Sequence, residues 1–208
     1  MIKKNSRNMI GYGSKGKIIS WPNNAKLALQ IVLNYEEGGE NCILNGDKHS
    51  ETFLSEIIGA QPVKDRHISM ESIYEYGSRA GFWRLDKLFK EKKIPITIFG
   101  VGLALKQNPE VCDAIKNRDY EIAAHGYRWI DYQNIKRSVE KKHMQQAIKT
   151  INDIFGSRPL GWYTGRCSPN TRDLVFDDGG FLYDSDSYSD DLPYWEQRGK
   201  KKQLIIPY

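Results

Sequence analysis

The chain has 208 residues, with 39% hydrophobic and 27% charged residues and an aromatic set of Trp 5, Tyr 12 and Phe 7. That is enough to bury one good core, and it excludes disordered, collagen-like and coiled-coil chains. The net charge of +5 is spread over clusters such as Lys90, Lys92 and Lys93 or Lys200 to Lys202, and no apolar run is long enough to span a bilayer. A nucleic-acid groove needs a concentrated basic stripe with stacking aromatics, so neither nucleic acid nor membrane is an expected partner.

Residues 1–20 are polar and glycine-rich and read as an arm, followed by a turn at Trp21 to Asn24. Lys26 to Asn34 is a nearly continuous apolar run that predicts a strand buried on both faces. Residues 41–79 have weak periodicity, with a short helix expected from Ser50, as cap, to Ile58. From Ala80 a βα rhythm sets in. A helix runs to Lys92, a strand covers Pro95 to Val101, and Pro109 opens a second helix. Glu121 to Ala124 predicts a strand, and Lys136 to Phe155 a long helix with Val139, His143, Met144, Ala147, Ile148, Ile151 and Ile154 inward. Leu160 to Tyr163 reads as a strand, Thr171 to Asp178 as a helix capped by Asn170 or Thr171 and stopped by Gly179, Phe181 to Tyr183 as a brief strand, and Gln203 to Tyr208 as a last one. The chain is therefore read as an α/β protein with a mainly parallel sheet.

In such folds the working groups sit past the C-terminal ends of strands. Asn34 to Glu40, His125 to Trp129, Tyr163 to Arg172 and Asp184 to Asp191 occupy those places and would share one rim. Glu36 or Glu37 suits a general base, though both fit exposed loop carboxylates. His125 fits a general acid, a proton shuttle, a metal ligand or a buried structural histidine. Arg166 fits an oxyanion clamp or a loop salt bridge. Asn34, Tyr35, Trp129, Tyr163, Asp184 and Trp195 are the candidates for substrate contact. The phosphate-loop, dinucleotide and serine-hydrolase motifs are absent, and no nucleotide cofactor is expected. Cys42, Cys112 and Cys167 form no CxxC pair, and the basic start lacks an apolar signal region. The reading is reduced thiols in a cytoplasmic protein.

The order of these segments resembles the polysaccharide deacetylase superfamily (carbohydrate esterase family 4, the NodB-homology fold), and within it the branch of metal-independent bacterial allantoinases. Val32 to Asn41, Ser69 to Gly81, His125 to Trp129, Gly161 to Arg172, Asp184 to Asp186 and Asp190 to Trp195 carry the resemblance. It implies a distorted (β/α) barrel, with 21–208 as the domain and the final barrel elements lacking at the C-terminus. It places the catalytic base on Glu36, a metal ligand on Glu37, and the arginine that orients the base on Arg166. The family's two metal-binding histidines fall on His125 and Trp129, so at most Glu37 and His125 remain for a weakly held divalent ion, and no cofactor is expected. The implied reaction is hydrolysis of a cyclic amide or ureide, allantoin to allantoate, with His125 serving the leaving nitrogen or the oxyanion. A metal-dependent polysaccharide or peptidoglycan N-deacetylase and an inactive shortened homologue are the alternatives. The long segment 41–79 and the bare closing strand point to a homo-oligomer.

Overall fold

The computed structural model describes residues 7–208. These fall into two compact units, one ending at Gln30 and one running from Ile31 to Tyr208. The first six residues of the expected arm lie outside the described residues. Among the described residues the first unit has no strand. It holds a turn closed by Gly13 N–H on the Ile10 carbonyl and a short 3-10 turn at Pro22–Asn24. The strand expected from Lys26 begins only at Val32, and Leu27 and Leu29 are exposed.

The second unit is built on a seven-stranded sheet. Its strands are β1 (Val32–Tyr35), β2 (Thr97–Gly100), β3 (Glu121–Ala124), β4 (Gly161–Trp162), β5 (Tyr183–Asp184), β6 (Tyr194–Arg198) and β7 (Lys201–Ile205), in the order β1-β2-β3-β4-β5-β7-β6. All neighbours are parallel except β6, which pairs antiparallel with β7 as a hairpin. β6 was not expected from the sequence. Its Tyr-Trp-Glu-Gln-Arg run alternates half-buried and exposed positions, as an edge strand does.

The helices are α1 (Ile68–Tyr76), α2 (Phe82–Lys92), α3 (Gly102–Gln107), α4 (Pro109–Arg118), α5 (Arg137–Phe155) and α6 (Thr171–Asp178). A π-turn at Gly77–Gly81 joins α1 to α2 without a break. The helix expected from Ser50 to Ile58 does not form. Leu54 takes a left-handed φ of 70°, and Ser50 Oγ accepts from Val63 N–H instead of capping a helix turn.

Period-2 alternation divides the strand residues between two clusters. Leu33, Ile98, Ala124 and Trp162 face the main core with α2 to α5 residues such as Phe82, Leu105, Ile115, Met144 and Ile151. Val32, Phe99, Ala123, Tyr163 and Tyr183 form a smaller cluster on the other face. All of β2 is buried, as expected for a central parallel strand. The hydrogen-bond ladder continues past the strand ends. Val101 N–H reaches the Tyr35 carbonyl, His125 N–H the Gly100 carbonyl, Tyr163 N–H the Ala124 carbonyl and Ser185 N–H the Trp162 carbonyl. These rungs fix the rim on which the polar groups stand. Among the described residues no helix is long and apolar enough to cross a membrane.

Candidate active site

Two strand ends bring the central pair together. Glu36 follows β1 and His125 follows β3, and their side chains meet with Nε2 at 2.9 Å from Glu36 Oε1. On its other side the imidazole places Nδ1 3.0 Å from the Tyr163 carbonyl. A carbonyl can only accept, so Nδ1 carries a hydrogen. The Nε2 contact to a carboxyl oxygen then needs a second proton, held by the imidazole or by Glu36. Asn34 Nδ2 also donates to Glu36 Oε1 at 3.0 Å. With Oε1 doubly engaged, Oε2 accepts from none of the described residues and is left for water. His125 is 2% exposed, walled by Phe99 and by the Tyr163 ring at 4.9 Å.

The neighbouring Glu37 turns the other way. Its Oε2 accepts from Glu36 N–H, and its Oε1 lies 1.9 Å from where a Cβ on Gly77 would sit, so a side chain at Gly77 would displace the Glu37 carboxyl. Burial first, then the charges of Glu36 and Glu40, raises its pKa. Glu37 lines a separate cleft of about 290 Å³ with Glu40, Glu71 and Asn108.

Trp129 takes the place that the resemblance gives to a second histidine. It is buried, packs edge-on to Phe53 at 5.4 Å and lies 5.9 Å from Tyr74. Its N–H donates to the Gly39 carbonyl, and Arg128 ties the same stretch to the first loop through Asp47 and the carbonyls of Gly39 and Glu40. The family's metal-binding donors are therefore not assembled: Glu37 faces away from His125, and the third position is an indole. Among the described residues no group of three or more His, Cys, Asp or Glu could hold an ion. The residues present do not fit the metal site that the resemblance implies.

Arg166 was expected to orient the base. It pairs instead with Glu51, Nη1 to Oε2 at 3.1 Å, and lies over the Trp129 ring at 4.8 Å. Glu51 is a site residue that sequence reasoning missed, because a lone glutamate in an aperiodic segment carries no pattern. Glu140 is another. It is buried in the first turn of α5, where Ser168 Oγ donates to Oε2 at 2.6 Å and Thr171 Oγ to Oε1. It thereby fastens the loop that carries Arg166. As a charged residue on the inner stripe of α5 it carries no hydropathy signal.

The remaining candidates are dispersed. Tyr35 is 1% exposed with its hydroxyl on Ser78 Oγ, and burial pushes its pKa up to about 12, so it is a core residue turned from the rim. Tyr163 stacks on Tyr208 at 4.4 Å and shares a hydroxyl contact with Tyr188. Asp184 is buried at the end of β5 beside Asp186 and Arg172, and burial followed by the Asp186 charge raises its pKa to about 7. Asp186 Oδ1 accepts from Thr164 and Gly165 N–H, while its buried Oδ2 has no partner among the described residues. Trp195 is largely exposed on β6.

Three comparisons bear on this geometry. The sequence profile described as polysaccharide deacetylase matches residues 63–174. A Schizosaccharomyces pombe protein provisionally named a polysaccharide deacetylase is 41% identical over 94% of this chain and 68% of its own length. Among solved structures, a probable polysaccharide deacetylase from Pseudomonas aeruginosa PAO1 superposes with a TM-score of 0.94 at 56% identity, over 98% of this chain and 69% of that one. PuuE allantoinase gives the same TM-score of 0.94 and identity of 56%, over 98% of this chain and 68% of that one. With its parallel sheet, its rim of strand-end polar groups and these matches, the chain belongs to the polysaccharide deacetylase family, whose chemistry is the hydrolysis of C–N bonds.

Proposed function

We propose that the chain hydrolyses a C–N bond of a small cyclic amide of the ureide class, with allantoin as the substrate and no metal ion required. The observation that carries this reading is the Glu36–His125 pair locked by the Tyr163 carbonyl. Glu36 Oε2 takes a proton from water as its oxygen attacks the amide carbonyl. The C–N bond of the resulting tetrahedral intermediate breaks as His125 Nε2 gives its proton to the leaving nitrogen, which stays attached in the ring-opened product. The proton on Glu36 then passes to His125 across their contact, restoring the pair. On this reading the indole of Trp129, which stands where the family's second histidine would be, favours a small planar substrate over a sugar polymer. The 56% identity with PuuE allantoinase supports the same reading.

The relatives named as deacetylases favour removal of an N-acetyl group as the second reading. One experiment separates the two. The purified chain is offered allantoin and N-acetylglucosamine oligomers, each with and without a chelator. Chelator-resistant consumption of allantoin supports the proposal; preference for the acetylated sugar overturns it.

A further inference from the structure

Arg166 has been given a partner that the family resemblance does not supply. Glu51 is anchored independently of it, accepting from Asn41 Nδ2 at 3.0 Å, Thr52 N–H at 2.9 Å and Phe53 N–H at 3.1 Å. The Glu51 side chain is 5% exposed and that of Arg166 26%. Burial alone would raise the Glu51 pKa, but the two backbone N–H groups and the Arg166 charge outweigh it and hold it below the ordinary carboxylate range. The pair is thus a neutral unit, not a bare cation. The guanidinium is further held between Trp129, 4.8 Å away, and Phe53, 5.8 Å away. Only its Nη1 meets a side-chain acceptor among the described residues, so Nε–H and Nη2 remain as an unused donor edge. Trp129, over whose ring Arg166 lies, donates its backbone N–H to the Gly39 carbonyl, three residues after Glu36, and packs 5.9 Å from the Tyr74 ring, which sets the pair beside the loop that Glu36 opens.

We propose that Glu51 is a positioning residue, which draws Arg166 off Glu36 and holds its donor edge over Trp129 as a clamp for a carbonyl oxygen of the substrate. Two consequences follow from the chemistry. An arginine paired directly with Glu36 would stabilise its anion and weaken it as a base, and Glu51 removes that competition. An arginine whose charge is already balanced selects a neutral carbonyl over a carboxylate or phosphate. The ligand class is therefore an uncharged cyclic imide or ureide. The inference rests on the ureide reading given above.

The test follows Arg166 itself. The full chain, labelled with 15N-arginine, is titrated with hydantoin, and the Arg166 Nε–Hε signal, assigned by its loss in R166K, is followed by NMR. In the parent protein the signal moves saturably. Glu51→Gln keeps an oxygen for the Thr52 and Phe53 N–H groups but loses the charge on Arg166, and it weakens hydantoin binding about tenfold or more. Glu51→Asp recovers most of that loss. R166K, which lacks that signal and is therefore titrated with hydantoin by calorimetry alongside the parent and E51Q, weakens binding similarly, and adding E51Q to R166K costs nothing further. Unchanged affinity in E51Q, or an equal loss in both backgrounds, makes Glu51 a loop-building residue only and overturns the proposal. Should E51Q not fold, E51D and R166K decide the matter. A still Arg166 signal in the parent protein overturns the clamp even if allantoin is consumed. A moving signal without allantoin turnover overturns the ureide hydrolysis and leaves the clamp standing.

Discussion

His125 Nε2 stands 2.9 Å from Glu36 Oε1 while the same ring's Nδ1 is held 3.0 Å from the Tyr163 carbonyl. The carbonyl sets the tautomer, and the carboxyl sets where the second proton resides. The expected outcome of a long-range 1H–15N correlation spectrum is a ring that carries its hydrogen on Nδ1. A neutral ring protonated on Nε2 would contradict the arrangement.

The two adjacent glutamates should separate cleanly in kinetics. Glu36→Gln should lower kcat by about a thousandfold with little change in KM, since the loss is of general base catalysis. Glu37→Gln should cost less than about tenfold, because its carboxyl serves the Glu36 N–H and the cleft beside Gly77. Equal losses in steady-state assays would show that the roles are wrongly divided.

Restoring a histidine at position 129 should not restore a metal site. Trp129→His removes packing against Phe53, Tyr74 and Arg166 and should cost about 2–4 kcal/mol in urea unfolding. Because Glu37 still faces away, activity in the variant should stay insensitive to a chelator, and zinc titration should show no tight site.

Glu140 reads as loop architecture with a long reach. Glu140→Ala leaves the Ser168 and Thr171 hydroxyls without their buried acceptor. Stability should fall by about 2–3 kcal/mol, measured by thermal or urea unfolding. Glu140→Gln, which keeps an acceptor, should cost less.

The Asp184 carboxyl gives a signed pH dependence. Its folded pKa of about 7 lies above the unfolded value, because burial and then Asp186 disfavour the anion. The folded state therefore holds more protons across the window between the two values, and stability falls as pH rises through it. The melting temperature should drop by about 4 °C between pH 5 and pH 8, the effect of about 1–2 kcal/mol on a domain of this size. Asp184→Asn should flatten the slope. An equally steep fall in the variant would assign it to another group.

The sequence made the centre of the sheet legible and its margins less so. β2, β3 and α5 announce themselves by short apolar runs or a helical apolar stripe, and the structure buries all of β2, the second half of β3 and one stripe of α5. β6 carries only a half-buried alternation, and the stretch before Val32 is apolar but exposed, so hydropathy missed the first and overextended the second. At the site, Glu36 and His125 were readable because each follows a buried strand. Their contact was not, since it depends on the register of β1, β2 and β3. Glu51 and Glu140 escaped for a different reason. Each is a buried carboxyl that holds a segment distant in sequence, Arg166 for Glu51 and Ser168 with Thr171 for Glu140, and nothing local marks such a residue.

One seam in the rim also bears on how molecules come and go. The Gly39 carbonyl receives N–H groups from both Trp129 and Arg128, and a Cβ on Gly39 would press on Val101 at 2.5 Å. That side has no slack. Hydrogen bonds from residues 54–62 reach no farther than Thr52, while the ends of the stretch are fastened where Ser50 meets Val63. A swing of this flap would lift Phe53 from Trp129 and Arg166 and leave the Glu36–His125 distance untouched. The Phe53 contacts with Trp129 and Arg166 share no residue with the Glu36–His125 pair, so a displacement of the one set leaves the other bonded.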